Sequence, residues 1–336
     1  MRKSCLLFLL LCRLAGAQTR PDPEWDAVFQ RNHGWNGADG AYSVLLRGGW
    51  TGWVFSDTFV GKVEADGSRR NNAFLHNSWA RIESLRPSVN LFSNRELFSD
   101  PAGHNAYWVY QPVLDSGQQG WIFFGEFSFS SDGPEGLNFN QVGNWLAPLD
   151  WSGTAPKLGK ALAIPHFRAR PALNFGAAVL EDPDYFWVYA TRDFGDHKEL
   201  LLARVPGGQL DDFGSWEFWP HWSHDVNSAQ PLLKEVSNEL SVFRVGTEVR
   251  LLTQVGSEVR YYRGTSPDSF GEFKVIADLP QQDGVMTYNA KAHPEMGWPL
   301  LITYNRNAFP PQLVLDQADR YRPRSLRLDR DPWLQP

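Results

Sequence analysis

Two aspartates bracket one turn in GADGAYSVLLRGGWTGWVFSDTFVG, residues 37–61. Folding the segment as a β-hairpin about Gly48-Gly49 sets Asp39 near Thr58 and Asp57 near Gly40, so both carboxyls meet at the open end. Like charges so placed raise each other's pKa. Two carboxyls whose surroundings split their pKa values can act as acid and base; the same pair could instead hold a cation. Each aspartate also has a plainer use. Asp39 lies in Ala-Asp-Gly, a turn-forming triplet, and Asp57 could accept backbone N–H groups that close the hairpin. A third acid, Glu239, opens the apolar run NELSVF and would be costly to bury without a partner.

The elements that would position these acids are strands. Beyond the N-terminus almost no stretch keeps apolar residues at helical spacing, while 29 Gly and 23 Pro punctuate short β-rich runs. The class is all-β. One pattern recurs in WVFSD, IFFGE, WVYAT, RLLTQ and LLITY, each preceded by another strand and a turn. Five hairpins at blade-length spacing predict a five-bladed β-propeller over residues 18–336, with a β-sandwich as the competing architecture. In a propeller the starts of first strands and the ends of second strands share one mouth of the central channel. That places Asp57, Glu126, Thr191, Gln254 and Tyr304 around one cavity, joined by Asp39, Asn174, Glu239 and the Tyr288-Asn289 pair.

Composition narrows the partners. Residues 1–17, MRKSCLLFLLLCRLAGA, have a basic start, an apolar run and a small-x-small end, which reads as a secretory signal peptide and a secreted or periplasmic protein. The run is too short for comfortable membrane insertion. Both cysteines, Cys5 and Cys12, lie inside it, so the mature chain has no thiol chemistry, disulfide or Cys-based metal site. A formal charge of −6 argues against nucleic acid. The two histidines of HWSHD, 221–225, are spaced by three on a loop, too weak a pattern for a zinc site. Fifteen tryptophans suit an all-β core and a carbohydrate-contacting surface.

The long motifs GADGAYSVLL, GWVFSDTFVGKVEADGSR, NNAFLHNSWARI, WEFWPHWSHD and YNAKAHPEMGWPLLITYNRN resemble a bacterial secreted family known as domain of unknown function 5005. That family is similar to propellers containing endo-acting arabinan hydrolases and, more distantly, to furanosidase propellers. The resemblance implies the five-bladed fold and a glycoside hydrolase acting on a furanose-containing or related polysaccharide. It further implies a first-blade acid as base or nucleophile, matched by Asp39, and a later-blade glutamate as general acid, matched by Glu239, with Asp57 tuning charge. The better-known families take the acid from the third blade, where this chain has Asn174. Trp35 is expected at the rim as a sugar-stacking platform, its competing use being packing of the N-terminal segment. Glu126, Asn174, Gln254, Asn289 and His293 are expected to contact substrate. The chemistry requires no cofactor, although the carboxylates could hold a structural Ca²⁺ in the channel. A monomer is expected. The rival reading is a carbohydrate-binding propeller without catalysis, which the many amides would also suit.

Overall fold

The computed structural model describes residues 19–99, 104–131, 136–282 and 284–334; the expected signal peptide lies outside them. The described chain is all-β apart from short helices, of which Pro23–Phe29 is the longest. No described helix is long and apolar enough to cross a membrane.

All five expected hairpins form. Tyr42–Leu46 pairs with Trp50–Phe55, Asn105–Leu114 with Gln119–Phe129, and Ala172–Glu181 with Tyr185–Asp193. Ser241–Val245 pairs with Glu248–Val255, and Val285–His293 with Leu300–Ala308. The first of these hairpins turns at Gly48 and Gly49, both at positive φ (72° and 79°), a conformation glycine adopts without penalty. Further strands extend each hairpin to an antiparallel sheet of at least four strands, in chain order. The fifth sheet is completed from the other end of the chain, because Thr19–Pro21 pairs with Arg324–Leu328. First strands of successive sheets touch in order, and the first strand of the fifth sheet touches that of the first.

Strand faces alternate, so every second residue enters the core between sheets. Trp25 and Phe29 of the N-terminal helix pack against Trp53 of the first sheet, one tilted and one edge-on, with ring centroids 5.3 Å and 5.7 Å away. Asp22 caps this helix by accepting the N–H groups of Glu24 and Trp25.

A sixth, three-stranded sheet made of His33–Ala38, Thr58–Lys62 and Ala73–Leu75 extends the open end of the first hairpin. It is tied down by Arg69. The sequence presents this arginine as part of a polar turn, yet it is 4% exposed. Its guanidinium donates to Asn36 Oδ1 (2.8 Å) and to the carbonyls of Asn36, Val314, Ala318 and Tyr321. Gly37 makes room for it, since a Cβ there would fall 2.2 Å from both Arg69 Nη2 and the Tyr321 carbonyl. Removing the fork would leave several buried acceptors unpaired. Arg69→Ala is therefore expected to lower stability by about 3 kcal/mol or more in urea unfolding; a loss below about 1 kcal/mol would show that water replaces it.

Candidate active site

A cavity of ≈ 1600 Å³ opens where the first strands begin. Six of the nine expected site residues line it: Asp39, Asp57, Asn174, Glu239, Gln254 and Asn289. The hairpin geometry expected for the two aspartates is realised by the backbone. Asp39 N–H donates to the Asp57 carbonyl (3.2 Å), and Ser56 N–H to the Asp39 carbonyl (3.0 Å).

Each carboxyl has a different environment. Asp39 Oδ2 accepts from the Tyr288 hydroxyl at 2.8 Å, while its Oδ1 is buried and has no hydrogen-bond partner. Burial, followed by the charges of Asp57 and Glu239, pushes the Asp39 carboxyl up to about 8; Tyr288 and Tyr321 only partly oppose this. Asp57 Oδ1 lies 3.0 Å from His76 Nδ1 and 2.8 Å from the donating Trp108 Nε1. Burial raises its carboxyl despite these partners. Burial also pulls the His76 imidazole down, but hydrogen bonding and charge from Asp57 outweigh it, and the ring ends above its ordinary range. Glu239 is ion-paired with Lys291 Nζ and accepts from Asn289 Nδ2 at 2.9 Å. Lys291 is itself buried, which lowers its ammonium while Glu239 holds it up.

The amides are partly occupied, and Gln254 Oε1 is buried without a hydrogen-bond partner. Asn289 takes the Ser237 hydroxyl on its other end, Asn174 Oδ1 accepts from Tyr110 (2.9 Å), and Gln254 Nε2 donates to the Gly256 and Thr287 carbonyls. Among the described residues no group of three His, Cys, Asp or Glu side chains is placed to hold a metal ion.

Three expected site residues lie elsewhere. Trp35 is no rim platform: it is fully buried against Phe55 and Phe92 and donates from Nε1 to Ser78 Oγ. Its strand belongs to the sixth sheet, and the core side of that strand takes the ring. Glu126 faces away from the cavity because the neighbouring residues of its strand, Phe127 and Phe129, face into it; Glu126 instead accepts from Asn105 Nδ2 (2.6 Å) and Trp145 Nε1 (2.9 Å). His293 sits five residues beyond Tyr288, roughly 15 Å further along the strand. There it stacks on Trp53 (4.4 Å) and bonds Ser43 and Thr303. Thr191 and Tyr304 are likewise buried away from the mouth. Sequence reading did not assign roles to Lys291, Trp108 or Tyr321. Lys291 stood inside the quoted YNAKAHPE cluster, and the buried cost of Glu239 already demanded a cation; the other two carry no local signal.

Against known families, residues 22–333 match the model named Domain of unknown function (DUF5005). The chain belongs to this family. No curated protein matches the sequence. Among solved structures, the DUF5005 chain is similar to a Bacteroides ovatus ATCC 8483 protein described only provisionally as a hydrolase, with 22% identity, a TM-score of 0.74, and coverage of 92% of this chain and 89% of that one. It is also similar to the endo-arabinase of Bacteroides thetaiotaomicron VPI-5482 (10% identity, TM-score 0.51, coverage 88% and 95%). A family 117 glycoside hydrolase from Zobellia galactanivorans is comparable (10%, 0.52, coverage 88% and 87%). At these identities the likeness concerns the fold, and roles must come from the site itself.

The raised Asp39 carboxyl has a consequence for stability. Its folded pKa lies above its ordinary 3.8, so its contribution is complete at low pH and is lost progressively as pH rises toward about 8. Asn at this position cannot ionise. Asp39→Asn is expected to gain thermal stability relative to the unaltered chain between about pH 5 and pH 8; a difference in Tm that stays constant over this range would contradict the raised pKa.

Proposed function

We propose that this DUF5005 chain is an exported five-bladed β-propeller glycoside hydrolase acting on a furanose-containing or related polysaccharide. The five sheets of four or five strands, whose first strands touch in order from the first round to the fifth and back, support the blade count. The observation that carries the chemistry is the contrast between Asp39 and Glu239. The Asp39 carboxyl is pushed up to about 8 by burial and by the charges of Asp57 and Glu239 and so favours holding a proton, whereas Glu239 has a lysine beside it to compensate its charge.

This contrast reverses the roles implied by family order. Asp39 suits the general acid: it gives its proton to the glycosidic oxygen as the bond to the anomeric carbon breaks, and the leaving group departs as an alcohol. Glu239 suits the charged partner, either attacking the anomeric carbon itself or drawing a proton from the water that does. Asp57 raises the acid's pKa through its charge and is held in place by His76 and Trp108. A binding propeller without catalysis is the second reading, favoured by the buried amide oxygens of Gln141, Asn238 and Gln254, which line the cavity without a hydrogen-bond partner.

Activated aryl glycosides separate the roles, since a good leaving group departs without a proton. On a polysaccharide, Asp39→Asn and Glu239→Gln are each expected to lose about 10²-fold or more in kcat. On an aryl furanoside with a low-pKa phenol, Asp39→Asn is expected to recover much of the loss and Glu239→Gln to recover none. Recovery by Glu239→Gln instead would restore the family order of roles.

A further inference from the structure

Six of the fourteen large apolar side chains exposed on the described surface line this one cavity: Phe74, Phe129, Leu137, Val142, Phe194 and Met286. Singly exposed apolar residues are ordinary on any protein, but concentration around one mouth marks a binding surface. The three aromatic members are also placed in an ordered way. Phe74 (46% exposed) and Phe129 (48% exposed) flank the His76 ring, with centroids 5.7 Å and 5.5 Å away. Phe59 backs Phe74 at 4.8 Å. The same His76 holds Asp57, so this aromatic face is joined directly to the carboxylate site. On the third sheet, Phe194 (47% exposed) lies flat on His197, 4.8 Å away at an interplanar angle of 5°. His197 is anchored by Asp196 at 2.7 Å.

We propose that Phe74, His76 and Phe129 form one sugar-stacking shelf and Phe194 with His197 another, and that an internal stretch of polysaccharide spans the mouth between them. Aromatic rings offer large apolar area at small entropic cost, which suits the C–H face of a sugar ring. The carboxyls of Asp39, Asp57 and Glu239 share the cavity with both shelves, so a chain held on the two would present an interior bond to them. The cavity, at ≈ 1600 Å³, exceeds the roughly 300–1,000 Å³ that encloses a drug-sized ligand, leaving room for several sugar units. This rests on the glycoside hydrolase reading for the identity of the ligand, while the shelves themselves rest on the exposed rings.

Affinity electrophoresis of the full chain in gels containing arabinan, arabinoxylan or levan tests it, together with viscosity and reducing-end release in solution. The unaltered protein is expected to be retarded by at least one polymer and to lower its viscosity well before reducing ends accumulate. Phe129→Ala and Phe194→Ala are each expected to weaken retardation about ten-fold, which is the worth of roughly one aromatic contact, with unchanged thermal unfolding because both rings are exposed. Retardation of both variants equal to the unaltered chain, or release of single sugars from the outset, overturns the shelves. Retardation by a polymer that releases no product leaves the shelves standing and overturns the hydrolase reading. No retardation by any of the three polymers overturns both.

Discussion

Gathering three carboxylates in one partly dry cavity is the constraint from which the rest of this site follows. Coulomb repulsion and desolvation both oppose three simultaneous charges. The fold compensates each acid differently: a buried lysine for Glu239, an imidazole and an indole N–H for Asp57, and a proton for Asp39. The three acids therefore stand in three different electrostatic environments. A cavity in which every carboxyl were paired with an arginine would hold no group able to exchange a proton near neutral pH.

Strand irregularities deliver these groups. Regular alternation would send adjacent residues to opposite faces, yet Tyr288 and Asn289 both line the cavity and Lys291 reaches Glu239. The pairing of this strand skips between Tyr288 and Lys291, and Asn289 takes φ +54°. Comparable register shifts interrupt the first hairpins of the second and third sheets, between Ile122 and Phe124 and between Phe175 and Ala178. Bulges at this height re-aim side chains without ending the strand. Arg69 does the complementary work from outside, fixing the segment that carries Tyr321 against the strand that leads to Asp39.

Legibility in the sequence divides along the same line. The five hairpins were readable because apolar β-rich runs ended in Gly-rich turns, and every first-strand residue named for the mouth, from Asp39 to Asn289, reaches it. Of the five second-strand residues only Asp57 and Gln254 arrive; Glu126, Thr191 and Tyr304 miss, Glu126 because one step in register reverses a side chain. His293 was misplaced for a different reason, since its strand runs the depth of the sheet and only its start meets the cavity. Arg69 and Tyr321 were invisible because the contacts that tie them span 245 to 252 residues of chain and resemble ordinary turn chemistry locally. Trp35 failed because a tryptophan near a site is equally well a core residue, and local sequence does not say which face of its strand is dry.

Order along the chain and local environment thus give opposite answers for Asp39 and Glu239, and environment has the stronger physical claim. Position in a fold constrains where a carboxyl sits, whereas proton affinity depends on burial, neighbouring charge and hydrogen bonding, which can change while the fold does not. Solved structures about 10% identical to this chain share its path but need not share the lysine beside Glu239 or the partnerless oxygen of Asp39. Lys291 puts a positive charge in direct contact with the Glu239 carboxyl, whereas Asp39 has the neutral hydroxyl of Tyr288 against it. Lys291 is buried among Tyr42, Asn289 and Glu239, so this ion pair belongs to the packed interior of the fold. The asymmetry is therefore a property of the folded chain before any ligand arrives, and the proposed roles rest on it.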